Sequence, residues 1–102
     1  MNEYVELMLN GKTISLITDA GTPCISDPGF LLVRESIKNG IKITCLPGPT
    51  ALIPALVLSG LSSETFIFEG FLPRKKGRKA KLKEISDNTI TTIIYELSLI
   101  HI

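Results

Sequence analysis

The residues able to do chemistry gather in two stretches. The first, "LITDAGTPCISDPGF" (Leu16–Phe30), places Asp19 and Asp27 among Gly21, Pro23, Pro28 and Gly29, directly behind an apolar run. Glycine lets backbone come close to a ligand, proline stiffens a loop, and a carboxylate can bind a hydroxyl, an amine or a cation. A plain turn, in which both Asp side chains accept from local amides, is the competing reading. A companion loop, "LPGPT" (Leu46–Thr50), sets Gly48 and the Thr50 hydroxyl beside an expected helix start, where free amides face outward. The second stretch is basic. Arg74, Lys75, Lys76, Arg78, Lys79, Lys81 and Lys83 are seven of the chain's eleven basic residues, with no acid among them. Such clustering suits phosphate contacts, which supply affinity without reading bases. Cations at a helix start oppose the helix dipole, and an anionic partner would relieve that. The alternative is a solvated lysine-rich helix face with Ala80, Leu82 and Ile85 turned inward.

The elements that must position these residues alternate. Strand-length runs of β-branched and aromatic residues occur at Thr13–Thr18, Ile41–Leu46, Thr65–Phe71 and Thr89–Glu96. Helical patterns precede each of them. "NEYVELMLNG" ends on Gly11; the next pattern opens with Asp27 as cap and Pro28 at the first helical position, and closes at Gly40. The third contains Pro54, which is tolerated if the helix begins with Thr50 as its N-cap. The order α-β-α-β-α-β-α-β predicts an α/β fold with substantial parallel pairing. In such a sheet ligands bind beyond the carboxyl ends of strands, and both loops leave such ends. "GLSSE" (Gly60–Glu64) reads as a linker.

Composition excludes several classes. With 102 residues, 44% of them apolar and 21% charged, and a net charge of +1, the chain reads as an ordinary globular one. Its longest apolar runs fall short of the roughly 20 residues a membrane helix needs, and no signal-peptide plan opens it, so a cytoplasmic location is expected. Cys24, Cys45 and His101 form no metal-ligating set, and both thiols are expected to act as small packed side chains. Phe66, Phe68 and Phe71 are expected in the core rather than stacked on bases.

Three segments in succession, "SLITDAGTPCISDPGF", "LPGPTALIPALVLSGL" and "FIFEGFLPRKKGRK", resemble the ribosomal RNA small subunit methyltransferase I family, within the tetrapyrrole (corrin and porphyrin) methylase superfamily. The resemblance covers Asn2 to Glu96. It implies an enzyme that uses S-adenosyl-L-methionine to methylate the ribose 2′-oxygen of a cytidine in 16S ribosomal RNA, as a homodimer and with the small ribosomal subunit as partner. It also implies two α/β domains with the cofactor between them. Residues 1–60 would then be the end of the first domain and residues 61–96 the start of the second, an internal fragment that should be inactive alone. Residues 97–102, "LSLIHI", depart from the family and match the translation of a sequencing-library transposon adapter, so they are expected to be non-native.

Carried over residue by residue, the resemblance assigns Asp19, Ala20, Gly21, Thr22 and Ile25 to the cofactor-contacting acidic loop, and Thr50 and Ala51 to the second cofactor turn. Arg74, Lys75, Lys76, Arg78 and Lys79 would contact RNA. No catalytic base is identified. Glu96, at an expected strand end, is the candidate, with a solvated or structural role as its alternative. Two other functions stand beside this one: methylation of a small tetrapyrrole, which would not require so long a basic stretch, and a non-catalytic RNA-binding module, which would leave the two loops without purpose.

Overall fold

The computed structural model of the chain describes residues 2–97. They divide into two compact units, one ending at Thr50 and the other beginning at Ala51. All that is expected of residues 98–102, His101 included, lies outside the described residues.

In the first unit, helix α1 (Asn2–Leu9) packs against helix α2 (Phe30–Lys38). The expected closure of α2 at Gly40 is found. Gly40 has φ 70°, and Gly40 N–H and Ile41 N–H donate to Ile37 O and Ser36 O at 3.1 and 3.0 Å. This paired closure uses two carbonyls the helix end would otherwise leave bare. The start of α2 differs from expectation. Asp27 does not cap it and Pro28 is not its first residue; Gly29 is the N-cap, its carbonyl accepting from Val33 N–H at 3.0 Å. Gly29 has φ 132°, a conformation side chains resist, so the helix cannot extend back through it. A Cβ there would also lie 2.5 Å from Leu16 Cδ2 and 3.0 Å from Cys24 Sγ.

The strands expected over Thr13–Thr18 and Ile41–Leu46 are not formed. A β-prone run becomes a strand only where a neighbour accepts and donates its ladder bonds, and neither run has such a neighbour among the described residues. Their apolar side chains are correspondingly open: Ile17 is 86% exposed and Leu46 82%. Cys45, expected to be packed, is also exposed, whereas Cys24 is half-buried.

The second unit holds helix α3 (Leu52–Ser59), strand β1 (Phe66–Phe71), helix α4 (Arg78–Asp87) and strand β2 (Thr91–Tyr95). The helix α3 starts one residue later than expected: Ala51, not Thr50, is the N-cap, since Ala51 O accepts the first helical bond from Ala55 N–H at 3.2 Å. Pro54 then occupies the third helical position, where the missing amide would have had no acceptor in the helix. The expected parallel pairing is present here, with β1 and β2 side by side and α4 as the crossover between them. Leu52 and Leu56 of α3 close over Ile93 of β2, with Phe68 and Tyr95 packed alongside. Phe68 and Tyr95 meet edge to face at 4.9 Å and Phe71 leans on Tyr95 at 5.8 Å, so these aromatics pack on one another. Phe66 and Phe71 are nevertheless only partly covered, and Ala80 and Leu82 of α4 are exposed instead of turned inward.

The core is small for the apolar content, and Leu58, Val57 and Ile37 stand 85%, 69% and 65% exposed. Surfaces of this kind bind apolar dyes. The folded chain should therefore enhance fluorescence of anilinonaphthalene sulfonate, and Leu58→Ser should lower that signal while leaving the far-UV circular dichroism unchanged. Gly29→Ala should strain the loop by about 1–2 kcal/mol, read as faster amide exchange and proteolysis between Leu16 and Phe30 than in the unaltered chain.

Candidate functional site

The two loops of the first unit meet through one hydrogen bond. Thr22 Oγ1 donates to Pro49 O at 3.0 Å, joining segments 27 residues apart. A second local bond, from Thr18 Oγ1 to Ala20 O at 3.2 Å, shapes the approach to Asp19. Asp19, Ala20 and Gly21 are exposed, Thr22 and Thr50 half-buried, and Ile25 40% exposed. Gly21 has φ 76°, and the space where its Cβ would be is empty to 4 Å. Cys24 (φ 75°) and Ser26 (φ 52°) are also left-handed, which is uncommon for residues with side chains and marks a tightly wound loop. Five cofactor-assigned residues, Asp19 to Thr22 and Ile25, thus share one loop that bonds to the Leu46–Thr50 turn. Ala51, the seventh, is exposed at the start of α3 in the other unit.

In the second unit the basic stretch is not uniform. Arg74, Lys75 and Lys76 lie exposed in the loop after β1, and Gly77 is the N-cap of α4, so the helix begins at Arg78 with no acid in its first turn. Arg78 makes two side-chain contacts: Nη2 donates to Glu96 Oε2 at 2.8 Å and Nη1 to Pro73 O at 3.3 Å. Lys81 Nζ lies 2.9 Å from Glu69 Oε2 and 3.4 Å from Glu84 Oε2. Arg74, Lys75, Lys76, Lys79 and Lys83 are exposed and carry no ion pair among the described residues.

Glu96 sits just past the end of β2 as expected, and its carboxylate belongs to the Arg78 pair. The hydrogen bond from Arg78 holds its pKa below the ordinary glutamate value. A lowered carboxylate pKa means that the pair persists at neutral pH and is lost as pH falls through the folded-state value. Lys81 moves the opposite way, its pKa raised first by the hydrogen bond to Glu69, so its charge is held through neutral pH and beyond.

Sequence reading gave Glu69 no part. The ladder slips between Phe68 and Gly70, pairing Phe68 with Ile93 and Gly70 with Ile94, so Glu69 is the extra residue of a bulge. A bulge re-aims its side chain, here toward Lys81. The available signal was Gly70 itself, a lone glycine inside a strand pattern. Among the described residues no group of three or more His, Cys, Asp or Glu could hold a metal, and no helix is long and apolar enough to cross a membrane.

Comparison with known proteins agrees with the resemblance read from the sequence. A protein of Mycobacterium tuberculosis named Ribosomal RNA small subunit methyltransferase I is 51% identical over 88 residues, 85% of this chain and 31% of its own length. Proteins of the same name from Vibrio cholerae and Pseudomonas aeruginosa are 54% and 48% identical, over 90% and 91% of this chain and 32% and 33% of their own lengths. The chain therefore spans about a third of the relatives it matches. Residues 2–100 match the family described as Tetrapyrrole (Corrin/Porphyrin) Methylases, and the chain belongs to that family.

Proposed function

We propose that the chain is part of an S-adenosylmethionine-dependent methyltransferase that modifies the 2′-oxygen of a cytidine ribose in 16S ribosomal RNA. The observation that carries this reading is the 48–54% identity to the relatives of that name across most of the chain. Location in the cytoplasm, where small ribosomal subunits are, goes with the same reading. The homodimer implied by the resemblance has no observation in its support and is not part of the proposal.

In this reading the Asp19–Ile25 loop and the Thr50–Ala51 turn hold the cofactor, which would supply an electrophilic sulfonium methyl to the ribose oxygen. The residues fit such a group. The exposed Asp19 carboxylate can accept from hydroxyls or an amine, the open backbone at Ala20 and Gly21 can meet polar edges, and Ile25 offers apolar cover. Thr22 spends its hydroxyl on Pro49 O, so its part is to hold the loop in place for the others. What such a site contributes is chiefly alignment of donor and acceptor. Glu96 is not given the role of proton acceptor, because its carboxylate is engaged by Arg78 and its proton affinity is lowered. The exposed cations after β1 favour a polyanionic substrate over a small macrocycle, and the cofactor loops favour an enzyme over a bare binding module.

The test exchanges residues 2–96 for the matching segment of the Vibrio cholerae relative and supplies the protein with labelled S-adenosylmethionine and unmodified small ribosomal subunits. Label should appear in an alkali-resistant dinucleotide, because a 2′-O-methyl group blocks cleavage of the adjacent phosphodiester. Label on a base would keep the RNA and overturn the chemistry; no label, with the parent protein active, would remove the reading. Asp19→Ala in the exchanged protein should raise KM for the cofactor tenfold or more, as loss of a hydrogen bond to a charged group of about 1.5 kcal/mol implies.

A further inference from the structure

The seven cations of Arg74–Lys83 fall into two sets by their partners. Arg78 is tied to Glu96 and Pro73 O, and Lys81 to Glu69 and Glu84. Both strand carboxylates, Glu69 on the β1 bulge and Glu96 past β2, reach α4 on one side. At 100° per residue, Arg78 and Lys81 lie about 60° apart around the helix, while Lys79 and Lys83 lie about 130° and about 170° from the midline of that pair. The Lys81–Glu69 pair is the more shielded, with side chains 29% and 21% exposed against 34% and 52% for Arg78 and Glu96.

The geometry points to a division of labour: Arg78 is a positioning residue, clasped by Glu96, that presents a separate phosphate-contacting set of Arg74, Lys75, Lys76 and Lys79. This rests on the proposed RNA substrate and goes beyond it by removing Arg78 from the phosphate-binding set and giving Glu96 a role in RNA binding. The reason is local. Arg78 gathers the loop it follows: its guanidinium holds Pro73 O, its own amide donates to Lys75 O at 3.3 Å, and Glu96 fixes the guanidinium against the end of β2. The three exposed cations Arg74, Lys75 and Lys76 lie on the segment so closed. A guanidinium suits this post because its planar fork serves two acceptors in different directions, which a lysine ammonium does less well.

Two readouts separate positioning from direct phosphate binding. Removing a cation that neutralises a phosphate lowers the slope of log affinity against log salt by about 0.7 for single-stranded nucleic acid. Removing a positioning group weakens binding at every salt concentration with the slope unchanged. The sign at Glu96 is also diagnostic: a carboxylate that merely repels phosphate strengthens binding when removed, whereas one that organises the loop weakens it.

The experiment measures binding of fluorescein-labelled polycytidylate to the full chain over a range of salt, with far-UV circular dichroism run on each variant. Lys75→Ala and Lys79→Ala should each flatten the slope by about 0.7. Arg78→Gln, Arg78→Lys and Glu96→Gln should each weaken binding about threefold to tenfold at unchanged slope, with Arg78→Gln/Glu96→Gln no weaker than the worse single variant. A slope flattened by Arg78→Gln, full affinity in Arg78→Lys, or tighter binding by Glu96→Gln would overturn the division while leaving RNA as the substrate. No binding by the unaltered chain would overturn the RNA reading, and this inference with it.

Discussion

The parallel pairing of β1 with β2 is the constraint on which the second unit depends. Parallel strands cannot be joined by a tight turn, so the chain must leave the carboxyl end of β1, cross over through a helix and re-enter beside its start. Two consequences follow for the residues with chemistry. The loop Leu72–Gly77 and the first turn of α4 must lie at the carboxyl edge of the pair, and Glu96, just past β2, must lie at that same edge. Arg78 and Glu96, 18 positions apart, meet for this reason and not through any local pattern. The cluster of Leu52, Leu56 and Ile93, with Phe68 and Tyr95 packed against it, ties α3 to both strands, and the bulge at Glu69 adds a tie between sheet and α4.

Electrostatics explains how a helix can begin among so many cations. The N-terminus of α4 carries partial positive charge and its first turn holds Arg78, Lys79 and Lys81 with no acid. Within the unit the opposing charge comes from Glu96, just past β2, facing Arg78, and from Glu69 of β1 and Glu84 of α4 itself, both facing Lys81. These carboxylates offset the cations nearest the sheet and leave those on the far side and in the loop uncompensated. The cations without a carboxylate partner are thus those in the loop and those on the turns of the helix away from these pairs. Charge count alone would treat all seven residues alike; topology sorts them.

How far this was legible in the sequence depended on whether a signal was local. The Gly40 closure, the tolerance of Pro54 and the β-α-β order of the second unit followed from residue types and spacing, because each rests on interactions within a few positions or on a strong period. The strands over Thr13–Thr18 and Ile41–Leu46 were misjudged for the opposite reason: their β-branched pattern states a preference, and a strand also requires a partner. The start of α2 was set two residues early because Asp27-Pro28 is a good opening on propensity, yet Gly29 at φ 132° interrupts it. Glu69 was passed over because a bulge is a property of two strands together, visible beforehand only as a glycine out of place.

The loops of the first unit show how a loop pair can be held without a ladder beneath it. Neither run that leads into them is hydrogen-bonded as a strand, yet Leu16–Phe30 has a definite course, set by left-handed turns at Gly21, Cys24, Ser26 and Gly29 and tied by Thr22 to Pro49. Left-handed residues with side chains persist only where the surroundings fix them. Gly29 sits where Leu16 and Cys24 close in, so the exit of the loop packs against its own entrance. The segment is therefore wound by its own contacts, and the exposure of Asp19 and Gly21 follows from that winding. A loop built this way takes its shape from glycine placement and one hydroxyl, which makes those positions, more than the apolar runs flanking them, the ones that decide its course.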